Sequence, residues 1–73
     1  MSQYEASTLN FTFSFGGYPL PCTITNITWN GDKFSGEIAG IPATGTDVNG
    51  KISATAVVEW NSYSETGTVT SWS

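Results

Sequence analysis

Two runs constrain this chain more than anything else in it. In "LNFTFSF", Leu9, Phe11, Phe13 and Phe15 alternate with Asn10, Thr12 and Ser14. In "KISATAVVEW", Ile52, Ala54, Ala56, Val58 and Trp60 take every second position. A period of two places all apolar members of a run on one face of a strand. No eleven-residue stretch carries apolar residues at helical spacing. Thr, Val, Ile and aromatics dominate, and these suit a pleated surface.

Turn residues separate the runs. Gly16-Gly17, Asn30-Gly31, Asn49-Gly50 and Asn61-Ser62 are the predicted hairpin turns. Asn-Gly favours a type I′ turn because both central residues take positive φ. Short loops in series between alternating strands give an antiparallel meander. The expected fold is therefore all-β: a single domain over 1–73 with about five strands, at 7–15, 18–29, 33–48, 51–60 and 63–72.

Two irregularities shape that sheet. In "CTITNITW" the apolar phase switches between Ile24 and Ile27, which predicts a β-bulge near Asn26. In "EIAGIPATGT", Gly40 and Pro42 interrupt the pattern; a bent third strand is expected, the alternative being a separate strand at 42–48. A bulge and a Gly-Pro bend curl a small sheet into a small barrel or half-barrel. The expected core is Phe11, Phe13, Ile24, Ile38, Ile52, Ala54, Ala56 and Val58. On that reading a charge at Val58 unfolds the protein.

Composition narrows the function. The chain has 73 residues, one cysteine (Cys22) and no His, so it has no intrachain disulfide and no His-bearing zinc site. No metal or cofactor is expected. Net charge is −4, and Lys33 and Lys51 are the only cations, too few for the basic footprint a nucleic-acid binder needs. No apolar segment approaches the roughly 20 residues that span a bilayer, so membrane insertion is not expected. The segment "MSQYEASTLN" lacks the basic and apolar regions of a signal peptide. The unpaired cysteine fits a cytosolic origin, whereas the low charge and abundant Ser and Thr fit a surface or extracellular domain. The sequence leaves localisation open.

Catalysis is not expected. There is no His for acid–base work. Cys22 follows Pro21 in an apolar run without a basic partner and reads as a structural thiol. Glu37, Glu59 and Glu65 are the carboxylates from which a glycosidase-like pair would have to come. "DVNGK", Asp47 to Lys51, shares a ligand rhythm with calcium loops but reads as a turn. Sequons at Asn10 and Asn26 fall inside predicted strands, and the Thr-x-Thr pieces read as ordinary exposed strand positions.

One repeated context remains. "TITNITWN" aligns with "ATAVVEWN", and each precedes a turn. With a bent third strand the two Trp-Asn corners share one end of the sheet. Trp29, Trp60 and Tyr63 then offer aromatic faces beside Asn30, Asp32 and Asn61. A sugar needs both an apolar face to stack on and polar groups for its hydroxyls. The expected function is a non-catalytic, lectin-like binding module with a glycan at these six residues. The alternative is a structural or assembly subunit. The first and last strands contain neither Lys nor Pro, and edges of that kind template pairing with other chains, so a homo-oligomer is expected.

Overall fold

The computed structural model describes residues 2–73 and contains six antiparallel strands in chain order. They are β1 (Leu9–Phe15), β2 (Tyr18–Asn30), β3 (Lys33–Ile38), β4 (Ile41–Val48), β5 (Lys51–Val58) and β6 (Asn61–Trp72). Each pairs with the next, and β1 pairs with β6, so the meander closes on itself.

Six strands replace the expected five because the chain reverses at Ala39-Gly40. Both residues take positive φ (52° and 81°), and Ile38 pairs with Ile41 across the turn. Residues 42–48 therefore belong to a return strand rather than to a bent continuation of β3. Alanine carries no turn signature comparable to asparagine, which is why the sequence pattern passed over this hairpin. The turns at Gly16-Gly17 and Asn49-Gly50 stand as expected, with positive φ at both residues. The other two shift in register. Asn30 pairs with Lys33 around Gly31-Asp32, and Val58 pairs with Asn61 around Glu59-Trp60. The bulge is where the phase switch predicted it: Asn26 has φ 54°, and the β2–β3 register slips between Thr25 and Thr28.

Leu9, Phe11, Ile24, Phe34, Ile52 and Ala54 form the buried cluster. Phe13 and Ile38 pack against it only partly, and Ala56 is half-buried. Val58, an expected core residue, is instead 39% exposed. It keeps its inward phase but lies at the end of a strand that outruns the core.

Bulky aromatics fit a ring this narrow because inward positions on three strands are glycines. A Cβ on Gly45 would strike the Ser53 carbonyl and lie 2.9 Å from the Phe34 ring. One on Gly67 would strike the Thr12 carbonyl and lie 3.0 Å from Phe11, and one on Gly36 would lie 2.9 Å from Ile24. Each glycine vacates the volume that a neighbouring ring or branched side chain fills.

Closure also covers part of the sheet edges expected to drive assembly. The upper parts of β1 and β6, read from sequence as unprotected edges, are spent on each other from Leu9↔Trp72 to Phe13↔Gly67.

Candidate functional site

The two ends of the ring differ. Antiparallel order puts the turns at Gly31-Asp32 and Asn49-Gly50 at one end, with both chain termini. The turns at Gly16-Gly17, Ala39-Gly40 and Glu59-Trp60 lie at the other.

The first end is closed. A 3-10 turn, Gln3–Glu5, carries a capping box between Ser2 and Glu5. It sets Tyr4 edge-on against Trp29, with ring centres 5.4 Å apart, and Trp29 packs edge-on against Phe34 at 5.6 Å. The Trp29 indole Nε1 donates to the Ala6 carbonyl at 2.8 Å, and the Asn49 amide donates to the Tyr4 hydroxyl at 3.1 Å. The Ser7 amide and the Thr8 amide both donate to the Ser73 carbonyl at 3.0 Å. Trp29 is thus a lid held from three sides.

Beneath this plug Asp47 is fully buried. Its Oδ1 accepts from the Gly50 amide at 2.9 Å, the side-chain turn that accounts for "DVNGK", while Oδ2 has no partner among the described residues. Burial pushes the Asp47 carboxyl above the usual carboxylate range; the Gly50 amide lowers it and nearby Asp32 raises it further.

The second end is open. Pairing between β1 and β6 stops at Phe13↔Gly67, and pairing between β2 and β3 begins only at Thr25↔Glu37. The tips of the β1–β2 and β5–β6 hairpins therefore project past the closed part. Their inward faces continue the core pattern into solvent. Phe15 is 66% exposed, Tyr18 73% and Tyr63 59%, with Leu20 and Val58 beside them in phase. Trp60, in the turn itself, is 89% exposed. Between the hairpins lies an apolar pocket of about 190 Å³, floored by Phe11 and Ala54 and walled by Phe13, Ile38, Ala56 and Tyr63. Its polar members are Glu65 and Cys22. Burial raises the Cys22 pKa; the Thr23 backbone lowers it, and Glu65 raises it further, so the thiol stays protonated. A second cleft, about 370 Å³, opens on the outer side where β1 leaves β6, between Ser14 and Thr66.

The six residues expected to share a site are divided between these ends. Trp29, Asn30 and Asp32 belong to the closed end; Trp60, Asn61 and Tyr63 belong to the open one. The reversal at Ala39-Gly40 separates them, since one extra strand inverts the direction of everything after it. The carboxylates are dispersed too. Glu37 accepts from the Asn26 side chain at 2.7 Å on the outer face, Glu59 sits in a turn, and Glu65 faces the pocket.

Sequence reasoning missed Phe15, Tyr18, Leu20 and Glu65 as site residues. The available signal was that alternation in β1 and β5 runs longer than a core of this size can cover. The chain matches no known family model, no curated protein and no solved structure.

Proposed function

We propose that this chain is a non-catalytic binding module whose ligand lies between the tips of the β1–β2 and β5–β6 hairpins. One observation carries the reading: inward-facing apolar and aromatic side chains continue past the closed core into an open mouth, where none of the described residues covers them. Contiguous exposed apolar surface on a small domain marks an interaction site. For a sugar ligand, the part of the Trp-Asn idea that persists is Trp60, Asn61 and Tyr63, which share this end. A second reading, assembly with further copies, draws on the same surface and on the part of β6 that lacks a second partner strand.

A glycan array and a peptide array probed with labelled protein of known solution mass test the reading. Ligands found should be lost in the Leu20→Ser/Tyr63→Ser double variant and kept in Trp29→Phe. Ligands indifferent to the double variant place the site elsewhere. No ligand on either array, with a particle mass at a multiple of the monomer, gives the assembly reading instead.

A further inference from the structure

The geometry points to an extended, basic peptide segment as the occupant of this mouth, added as a strand to the lower edge of β6; the inference rests on the binding-module reading above. Among the described residues, 61–65 of β6 pair with β5 on one side and with no strand on the other. Extended chain of that length offers an edge about 17 Å long.

Which backbone groups face that edge follows from proline. Pro19 and Pro21 have no N–H, yet the β1–β2 ladder runs unbroken through their partners Ser14 and Thr12. Their nitrogens therefore point away from β1, and the residues exchanging hydrogen bonds between β1 and β2 are Phe11, Phe13 and Phe15 with their partners. In an antiparallel sheet the intervening residues bond to the opposite neighbour. Thr12 thus bonds to its partner Thr68 on β6. By the same alternation the Thr66 carbonyl meets Ser14 beside the Phe13↔Gly67 pair, while Ser62 and Ser64 turn their N–H and C=O groups to the free edge.

The same prolines argue for this edge over the other one. The outer edge of β2 at this end is also unpaired, but Pro19 and Pro21 strip its donors, a usual protection against strand addition. Residues 61–66 contain neither Pro nor Lys. The bound strand would lie in the fork between β6 and β1, its alternate side chains directed at the apolar pocket.

Charge selects the partner. Lys33 and Lys51 both begin strands at the closed end, while Glu37, Glu59 and Glu65 all lie in the open half. Glu65 is the one charged group lining the apolar pocket. A second copy would bring like charges together, whereas a Lys or Arg on the inward face of an added strand meets Glu65. A sugar fits less well, because the inward faces here offer few polar side chains beside the rings. Strand addition instead takes affinity from main-chain bonds and specificity from pockets for alternate side chains.

The test titrates isotope-labelled protein with capped Val-Thr-Val-Thr-Lys-Thr-Val-Thr, with forms that move the Lys to each Val position, and with matching Glu forms. Lys peptides should bind and Glu peptides should not. Binding should slow amide exchange at Ser62 and Ser64 and leave Tyr63 and Glu65, already in the β5 ladder, unchanged. Glu65→Gln should weaken the Lys peptide by about fivefold at low salt and flatten its salt dependence. Binding without protection of those two amides overturns strand addition, as does failure of every Lys peptide. A sugar that binds at Tyr63 while no peptide does would refute this inference and leave the binding module intact. A stable dimer of the protein alone, with these two amides protected, makes a second copy the occupant and refutes it as well.

Discussion

The closed end and the open end are built from the same alternating strands, yet one is a core and the other a surface. At the closed end the inward side chains meet partners from every direction: glycines make room for Phe11 and Phe34, and the N-terminal turn lays Tyr4 over Trp29. At the open end the inward side chains of β1, β2, β5 and β6 outrun the ring, and none of the described residues covers them. Apolar phase therefore defines a face, while burial depends on whether a second element reaches that face. The open end retains apolar residues that a lone monomer does not need for its core, which is the physical reason to read it as a contact surface.

The sharpest way to break this contrast is to disturb each end on the same inward face. Phe11→Ala removes a fully buried ring and should cost about 3–5 kcal/mol, enough to unfold a domain this small. Val58→Asp sits on the same face past the core and should shift stability by no more than about 1 kcal/mol. Urea unfolding of both variants makes the comparison. An unfolded Val58→Asp protein would show that the open end is packed after all.

Two of the three tryptophans, Trp29 and Trp60, give an intermediate effect. Trp29→Ala empties the space under Tyr4 and removes the bond to Ala6, an expected loss of about 2–4 kcal/mol. Trp60→Ala should leave the thermal midpoint within about 2 °C, since an exposed turn residue contributes little. In variants that keep one tryptophan at a time, acrylamide should quench emission from Trp60 readily and from Trp29 poorly. Equal quenching would contradict the assignment of lid and surface.

The smallest expected effect refines the closed end. Asp47 titrates higher in the folded protein than in the unfolded chain because burial disfavours its charge. Between those two pKa values the folded state holds more protons, so stability falls as pH rises through that window. Below the unfolded value both states are protonated and the penalty vanishes. Asp47→Asn keeps an acceptor for the Gly50 amide without the charge, so the fall in stability across that pH window should disappear. Denaturant melts across pH read this directly; an Asp47→Asn variant with unchanged pH dependence would remove Asp47 as the source.

The alternating runs alone determined that this chain forms strands, which residues share a face, and where two of the hairpins turn. Those properties are local: the pleat has a period of two, Gly16-Gly17 and Asn49-Gly50 accept positive φ, and the phase switch around Asn26 requires an extra residue in the ladder. Tertiary structure alone decided the strand count, the closure and the site. Ala39-Gly40 turns because its flanks, Ile38 and Ile41, can pair on neighbouring strands, and that single reversal placed Trp29 and Trp60 at opposite ends. Closure depended on Gly45 and Gly67 lying opposite bulky side chains from distant strands, a steric match that no short stretch of sequence contains. Tyr63 and Leu20 became surface rather than core for a similar reason. Their phase is set by their own strands, but their exposure is set by where β1 parts from β6 and where β3 begins to pair with β2.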